Sequence, residues 1–433
     1  MAELKRVLGF KTLVMISIIS MMGSAVFFDP PLGARIAGPA SIISWVLLTL
    51  LAVYIAKCFG ELAAMFPKAG GIYEYSKQAY GRLLSFVIAW ISLLVSIISI
   101  AMLTIGAVQY LAPLQSSLFK VIVSSVIVIM FSIVAYRGIE TSSMATVFFG
   151  IIAMVLLLSI VIPGFFKMDI GNLRPIFALG MGSSFIAIFY IAESVFGWEA
   201  TTQLAEETIN PEKVMPKALT ISTLIVGGFC TLVALVSIAI LGAQKLSLLA
   251  TPTVDLAVIL YSEKVRNFFV LSIYISTIGA ILAYIISTPR FILALTRDKL
   301  FPGHFSDIHP KYATPHKAIM LQMLVIIALV IFAAGSYKSL LEVMMPLALI
   351  MYCFVMLALI ILRFKVPDEK RPYKAPFGIV GPIVIIIIFA ALLWQWVAST
   401  PEAVRTFRFA LSLLGLGIPI YFLIKSIIIF CKS

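Results

Sequence analysis

Residues 11–36 read KTLVMISIISMMGSAVFFDPPLGARI, and residues 190–199 read YIAESVFGWE. Each stretch belongs to a long apolar run, yet residues 21–31 of the first contain a glycine, a serine and two prolines, and the second contains two carboxylates and a glycine. Backbone that leaves a helix at membrane depth must have its N–H and C=O groups satisfied by protein or by a water-lined cavity. These two interrupted stretches are therefore the candidate functional elements of the chain.

The rest of the chain indicates an all-α, polytopic membrane protein. Of its 433 residues, 62% are hydrophobic and 12% are charged, with a mean hydropathy of +1.12. A soluble protein is about 45–50% apolar and about 25% charged, which excludes an ordinary cytosolic enzyme and a nucleic-acid-binding domain. Apolar runs near the roughly 20 residues that a membrane-spanning helix needs predict about twelve spans: 11–36, 40–65, 83–111, 119–136, 143–166, 181–205, 216–243, 267–295, 318–334, 339–363, 376–397 and 405–430.

The net charge of +13 is explained by where the basic residues lie. With the N-terminus inside, most of the 32 Lys and Arg residues fall on the inner side, among them Lys68, Arg297 and Lys365. The positive-inside rule then predicts that both termini are cytoplasmic. The basic residues indicate topology and contact with anionic lipid, so we expect no nucleic-acid partner.

The cysteines and histidines predict neither a metal site nor a cofactor. The four cysteines lie within spans or at their inner ends, without metal-like spacing, and structural disulfides are not expected. His304, His309 and His316 share one inner loop, and their spacing matches no metal-binding pattern.

The two interrupted spans occupy corresponding positions in the chain. One is the first span of a set of five, and the other is the first span of the next five. Because five is odd, the second set enters the membrane from the opposite side, which predicts inverted repeats over 1–170 and 171–365, followed by two further helices in 366–433. A lone glycine in a span more often marks close helix packing. Paired interruptions with Asp29 and Glu193 beside them instead favour a transporter's midplane site.

Four motifs resemble those of the amino acid–polyamine–organocation (APC) superfamily. MGSAVF at 22–27 resembles its I-G-S-G-I-F signature, and GELAAMFPKAGGIYEYSKQAYG at 60–81 is similar to its A-E-L…F-P…G-G-x-Y pattern. FGWEATTQLAEETINPEKVMPKAL begins at Phe196 and PRFILALTRDKLFPGHFSDIHPKYATPHKAI at Pro289, and both resemble later segments of the superfamily. The resemblance implies a LeuT-like 5+5 fold with two C-terminal helices. It also implies a permease, not an enzyme, that carries amino acids or related amines across the plasma membrane by alternating access.

The resemblance also implies a substrate site at the two interruptions. Helix N-termini carry partial positive charge and freed carbonyls partial negative charge, which suits the carboxylate and ammonium of an amino acid. The substrate carboxylate is expected in the first interruption and the ammonium in the second; the residues concerned are Met22, Gly23, Ser24, Ala25, Glu193, Ser194, Phe196 and Gly197. Ala25 stands where the superfamily usually has glycine, and alanine resists positive φ values. We therefore expect a break confined to Gly23 and Ser24.

Three carboxylates near the interruptions are candidates for coupling and recognition. Glu193 stands where the superfamily commonly has an apolar or aromatic residue, and an ionisable residue inside the membrane is by default a functional hypothesis. It would bind a cationic group, carry a proton, or form a structural hydrogen bond. Glu199, in the G-[FW]-E pattern, is a second coupling candidate. Asp29 is expected to cap the outer half-helix or to line the outward vestibule.

Aromatic residues and latches are expected to close the site. Trp198 and Phe27 would cover a bound substrate from opposite sides, unless they simply face lipid. Contacts among inner-loop residues are expected to break on inward opening: Glu61, Lys68, Tyr73, Arg290, Arg297 and Asp298.

The sequence does not decide whether transport is driven by protons or by exchange for a second amino acid. The fifth span carries no lysine that could stand in for sodium, and Ser272, Ser276 and Thr277 are expected to bond their own helix rather than a sodium ion. The leading hypothesis is therefore an amino-acid symporter driven by protons, or an exchanger. The alternative is a polyamine or cationic amino-acid transporter that uses Glu193. An ion channel and a membrane-embedded enzyme lack supporting motifs.

Overall fold

The computed structural model describes residues 4–112, 114–333 and 337–430. Over these residues the regular structure is helical, apart from an isolated bridge between Leu8 and Thr208. The first seven helices are α1 (Phe10–Met22), α2 (Ala25–Ala37), α3 (Ser41–Met65), α4 (Ile72–Tyr80), α5 (Arg82–Leu111), α6 (Ser117–Tyr136) and α7 (Ile139–Phe165).

The remaining helices repeat the pattern of a broken helix followed by long continuous ones. They are α8 (Gly182–Ile191), α9 (Trp198–Thr202), α10 (Pro211–Leu241), α11 (Ala243–Leu246), α12 (Pro252–Leu260), α13 (Arg266–Arg297), α14 (His316–Phe332), α15 (Tyr337–Lys365), α16 (Val380–Ser399), α17 (Ala403–Gly415) and α18 (Gly417–Phe430).

The apolar helices confirm a multi-pass membrane protein. Within the described residues, 9 helical segments are long and apolar enough to cross a membrane, and α1 and α14 are shorter apolar helices. Three passes consist of two helices each, namely α1 with α2, α8 with α9, and α17 with α18. Together with nine single helices they form the twelve predicted spans.

Several helix bounds differ from the predicted spans. α10 begins at Pro211 rather than at residue 216, because a proline in the first helical turn has no intrahelical N–H bond to lose. α7 begins at Ile139 rather than at 143, directly after Gly138. Hydropathy alone does not report such amphipathic helix ends.

The helices divide into an enclosed group and a peripheral group. α10 packs along α3, while α13 packs along both α5 and α7. The apolar window of α5 is 89% buried, whereas that of Ala403–Ser426 is 17% buried. Exposed side chains on α6, α7 and α16, such as Met130, Phe148 and Trp394, form the apolar perimeter. The enclosed helices therefore surround the two interruptions.

The bundle has two ends, which differ in the helix termini and residues that they carry. The basic side is the end at which α5 begins and α13 finishes, with Lys77 and Arg297. The opposite side is the end at which α5 finishes and α15 begins, with Tyr110 and Tyr337.

Candidate functional site

The first interruption is two residues long. α1 ends at Met22, Gly23 adopts φ 50° and ψ −136°, and α2 begins at Ala25 after Ser24. A positive φ is readily adopted by glycine and resisted by residues with a Cβ. The predicted confinement of the break to Gly23 and Ser24 is confirmed. The first N–H groups of α2 have no partner within their own helix, so they can serve an anionic group.

The second interruption is longer. α8 ends at Ile191, a 3₁₀ turn covers Ala192–Val195, and α9 starts at Trp198 after Gly197, whose φ is 135°. A Cβ placed on Gly197 would lie 2.9 Å from the Ser20 carbonyl oxygen and 3.0 Å from Met21 Cα. The two interrupted passes therefore meet backbone against backbone at this glycine.

A small cavity lies between the two interruptions. Its volume of about 20 Å³ is room for about one water molecule, so an amino acid requires the surrounding helices to move apart. Five of the predicted site residues line it, namely Gly23, Ala25, Glu193, Phe196 and Glu199. The other lining residues come chiefly from α1, α5, α13 and α15: Ser20, Met21, Val95, Ser99, Met102, Leu103, Tyr284, Met344, Ala348 and Tyr352.

Glu199 is held by two tyrosines from distant helices. Its side chain is buried, and its carboxylate accepts hydrogen bonds from the Tyr352 hydroxyl at 2.7 Å and the Tyr284 hydroxyl at 3.2 Å. Buried polar groups are normally satisfied in this way. These bonds join α9 to α13 and α15 at the cavity wall.

Glu193 and Asp29 each have a hydroxyl partner. The Tyr337 hydroxyl lies 3.4 and 3.3 Å from the two carboxylate oxygens of Glu193. The Ser194 hydroxyl donates to Asp29, which also interacts electrostatically with Glu193. Asp29 is the fifth residue of α2, whereas the N-cap is Ser24 and makes no side-chain capping bond. The capping role suggested for Asp29 is wrong, because helical geometry resumes four residues earlier.

Trp198 lies inside the bundle rather than facing lipid. Its indole Nε1 donates to Thr223 Oγ1 at 2.8 Å, and its ring packs against Phe59, Phe196 and Tyr352 with centroids 5.7, 5.9 and 5.5 Å away. Of these rings, Phe196 and Tyr352 line the cavity, and Trp198 and Phe59 pack against them.

Phe27 is not part of the cavity wall. It is fully buried, and its carbonyl accepts a hydrogen bond from Thr253 at 3.4 Å. Its neighbour Phe28 instead packs against Tyr110 and Tyr337, with centroids 5.0 and 5.8 Å away. Successive helical residues point about 100° apart, so a pattern that places both on one helix does not tell which ring faces the site. Met22, Ser24, Ser194 and Gly197 are buried close behind the wall.

The hydroxyls of Ser276 and Thr277 bond within their own helix, as expected. Ser276 Oγ donates to the Ser272 carbonyl at 2.7 Å, and Thr277 Oγ1 donates to the Ile273 carbonyl at 2.9 Å. Within the described residues, no group of His, Cys, Asp or Glu side chains could hold a metal ion.

The basic side is closed by a buried ion pair that also holds the N-terminal segment. Arg290 Nε and Nη2 donate to Glu207 at 2.8 and 3.1 Å, and both side chains are inaccessible to solvent. The backbone N–H groups of Val7 and Leu8 donate to the Glu207 carbonyl at 3.0 and 2.9 Å. The segment before α1 is thus joined to the segment after α9 and to α13.

A second contact on this side joins α4 to the end of α13. Tyr73 and Lys77 donate to Asp298 at 2.6 and 2.7 Å. Burial raises the pKa of the Asp298 carboxyl, but the hydrogen bonds from Lys77 and Tyr73 lower it by more, so its pKa lies below the ordinary 3.8. Asp298 therefore carries its charge throughout the physiological pH range.

The other predicted latch residues also form contacts. Arg297 pairs with Glu206 at 2.8 Å, and Lys68 lies 3.9 Å from Glu74. Glu61 is buried, where it accepts from Arg363 and from the Ala375 N–H at 2.7 Å. The contacts of Glu61 join α3 to the end of α15 and to the loop after α15.

Sequence patterns missed the tyrosines and apolar side chains that complete the site. No sequence motif in α13 or α15 marks these side chains, which are Tyr284, Tyr337, Met344 and Tyr352. A buried tyrosine needs a hydrogen-bond partner, which is the signal that could have marked them as candidates.

Known proteins with similar sequences are transporters. The chain matches the model of the amino acid permease family over residues 8–419. It is 27% identical to the glutamate/serine transporter AimA of Bacillus subtilis (strain 168), over 98% of this chain and 82% of AimA. The methylthioribose transporter of the same organism is 27% identical, over 90% and 88% of the two chains. The serine/threonine exchanger SteT, also from that organism, is 25% identical, over 98% and 97%.

Proposed function

Because the chain belongs to the amino acid permease family, within the APC superfamily, we propose that it is a secondary transporter that carries amino acids across the plasma membrane by alternating access. The observation that supports this most is the meeting of both interrupted passes at one cavity, with Gly197 against Ser20 and Met21. Interrupted helices in corresponding positions of two halves are typical of a transporter's substrate site.

In this proposal the substrate spans the two interruptions. Its carboxylate binds the N–H groups around Gly23, Ser24 and Ala25 at the start of α2, where the helix dipole favours an anion. Its ammonium binds the carbonyls of the segment from Glu193 to Phe196. The substrate side chain then faces the apolar wall of Val95, Met102, Leu103, Met344 and Ala348, which suits a short side chain.

The helix packing supports the inverted repeats proposed for 1–170 and 171–365, with 366–433 outside them. In the proposed repeats α3 corresponds to α10, α5 to α13 and α7 to α15. The contact of α5 with α15 then has the contact of α13 with α7 as its counterpart, and both are present. The corresponding helices α3 and α10 also contact each other, as do α5 and α13. With both termini in the cytoplasm, the basic side is the cytoplasmic side and the opposite side is external.

The coupling partner in this proposal is a proton or a second amino acid. α7 carries no lysine, and the hydroxyls of Ser276 and Thr277 are used within α13, so neither feature supports sodium. Glu193 and Glu199 are the buried carboxylates beside the substrate, so we assign coupling to them. A proton symporter accumulates substrate when the pH gradient is imposed inward, whereas an obligatory exchanger responds only to amino acid on the other side.

Glu193 supports a second candidate, a transporter of cationic amino acids or polyamines. Its carboxylate lines the cavity and would pair with a second ammonium group of the substrate. We expect Glu193→Gln to reduce uptake of lysine and putrescine at least ten-fold while alanine uptake changes little. Equal loss on all three, with unchanged thermal stability, would rule out side-chain recognition and leave coupling as the role of Glu193.

A binding screen tests the proposed substrate class. Ligands that bind the folded protein raise its melting temperature by mass action. We expect amino acids or polyamines to raise the melting temperature of the purified protein, and Gly197→Ala to abolish the shift. A shift that persists fully in Gly197→Ala would move the binding site away from the two interruptions.

A further inference from the structure

The first residue of α15, Tyr337, contacts a residue of the cavity wall. The Tyr337 hydroxyl lies 3.3 to 3.4 Å from the Glu193 carboxylate oxygens. Within the described residues, Tyr337 is the side chain that hydrogen-bonds Glu193. Glu193 itself lines the cavity. A carboxylate buried beside the substrate is therefore satisfied by a phenol that belongs to a different helix and lies at its very end.

The ring of Tyr337 is held by two other passes. It stacks on Phe28 of α2, with centroids 5.8 Å apart and planes at 28°, and Phe28 meets Tyr110 of α5 edge-on at 5.0 Å. The ring also lies against Gly106, where an added Cβ would be 3.1 and 3.2 Å from two ring carbons. These aromatic rings close the external side, as the rings around Trp198 close the cytoplasmic side.

A buried hydroxyl lies close to this ring. Ser24 is inaccessible to solvent, and its side chain interacts with that of Tyr337. A Cβ on Gly106 would meet Ser24 Oγ at 3.9 Å as well as the ring of Tyr337, so both side chains flank the same point. If the ring of Tyr337 moved away, the Ser24 hydroxyl would become accessible at the place where the substrate carboxylate is expected to bind.

We infer that Tyr337 is the external lid of the site and that its hydrogen bond to Glu193 is the latch that holds the lid shut. The inference rests on the proposed function and identifies the lid of that same site. It also explains the residue at 193, where the superfamily commonly has an apolar or aromatic side chain. Here a carboxylate takes that position, and the covering ring comes from α15. A substrate entering from outside must displace the ring and break the bond to Glu193.

The lid is tested by the rate at which the cavity becomes accessible from outside. A variant without the native cysteines carries Ser99→Cys in the cavity wall, and intact cells are treated with a membrane-impermeant thiol reagent. Tyr337→Phe removes the hydroxyl and keeps the ring. Tyr110→Phe is the matched control, because the Tyr110 hydroxyl belongs to the same ring cluster and bonds no described side chain. Loss of a hydrogen bond to a charged group should change the equilibrium between the closed and the open lid by about ten-fold or more.

We expect Tyr337→Phe to speed labelling of the cavity cysteine about ten-fold and Tyr110→Phe to leave the rate within about two-fold. Glu193→Leu, which removes the acceptor, should also speed labelling, and adding Tyr337→Phe to it should change little further. Equal rates in Tyr337→Phe and Tyr110→Phe would overturn the inference. If Tyr337→Phe fails to fold, Gly106→Ala is used instead, because its added Cβ would crowd the ring of Tyr337. Faster labelling of this variant supports the lid, and an unchanged labelling rate overturns it.

Labelling separates the lid from the proposed function, because the assay needs no transport. If the unmodified protein moves no amino acid or amine, the proposed function fails while the labelling rates still decide whether Tyr337 closes the cavity. If transport is present and the rates do not differ, the lid fails alone.

Discussion

Glu199 is the residue whose environment is most completely defined. Two phenol hydroxyls reach its carboxylate from α13 and α15, and both tyrosines also line the cavity. A rearrangement of either helix around a substrate must therefore alter the hydrogen bonding of Glu199. Because it lies in the cavity wall, we propose that substrate binding and helix movement communicate through Glu199.

Removing one of these hydroxyls should reveal which bond matters more. Leaving a buried acceptor partly unsatisfied costs about 1–3 kcal/mol. We expect Tyr352→Phe, which loses the 2.7 Å bond, to lower the uptake rate and the melting temperature more than Tyr284→Phe, which loses the 3.2 Å bond. Initial uptake rates and melting curves of the two variants measure this. Unchanged uptake in Tyr352→Phe would contradict a role for Glu199 in the transport cycle.

At the scale of elements, the two broken passes were the part of the site that local sequence could predict. Gly23 and Gly197 lie in apolar runs where glycine, serine and carboxylates have no other local reason to occur. The tyrosines that complete the site could not be predicted in the same way. Tyr284 and Tyr352 are 85 and 153 residues from Glu199 in the chain, and no local pattern reports which side chains folding will bring together. Which of Phe27 and Phe28 packs against Tyr337 depends on the rotation of α2 after the break, and the hydropathy pattern does not report that rotation.

Gly197 offers the sharpest test of the broken element. Alanine there would need a φ of 135° and would place Cβ 2.9 Å from the Ser20 carbonyl oxygen, so the two interruptions would be forced apart. We expect Gly197→Ala to abolish transport and binding. Gly228→Ala is the control, because Gly228 lies in α10 with nothing within 4 Å of an added Cβ, and alanine is favoured over glycine in a helix by about 1 kcal/mol. Comparable activity in both variants would contradict the close approach of the two breaks.

At the scale of the whole molecule, the structure is closed on both sides. The stacked rings of Phe28 and Tyr337 form the proposed lid on the side opposite the basic side, and on the basic side the ion pair of Arg290 with Glu207 holds the N-terminal segment against α13. Most of the fold follows from the sequence, because twelve apolar spans and the positive-inside rule define the passes and their proposed direction. The closed state does not follow, since it depends on contacts between loops that are distant in the chain.

The buried ion pair should matter more than its exposed neighbour. Arg290 and Glu207 are 1% and 0% exposed, whereas Arg297 and Glu206 are 39% and 25% exposed. Removing one partner of a buried pair costs about 3–5 kcal/mol, and an exposed pair is worth about 0–1 kcal/mol. We expect Arg290→Ala to lower the melting temperature strongly and Arg297→Ala to lower it little. The double variant Arg290→Met with Glu207→Gln should recover part of the loss; equal effects of the two single variants would contradict this assignment.

The contact at Asp298 should be insensitive to pH near neutrality. Because its folded pKa lies below the ordinary 3.8, its stabilisation is complete above that value and is lost as pH falls through the folded pKa. We expect the melting-temperature difference between the unmodified protein and Asp298→Asn to stay constant from about pH 7 to about pH 5 and to shrink below about pH 4. A difference that vanishes between pH 7 and pH 5 would instead make this contact a sensor of physiological pH.

The most direct test of the central claim is counterflow in proteoliposomes. Vesicles loaded with unlabelled amino acids are diluted into trace amounts of the same amino acids in labelled form, so that exchange requires no coupling ion. We predict transient accumulation of label with the unmodified protein and with Gly228→Ala, and none with Gly197→Ala. Absence of accumulation for every amino acid and polyamine, with folded protein in the vesicles, would contradict the assignment of this chain as an amino-acid transporter.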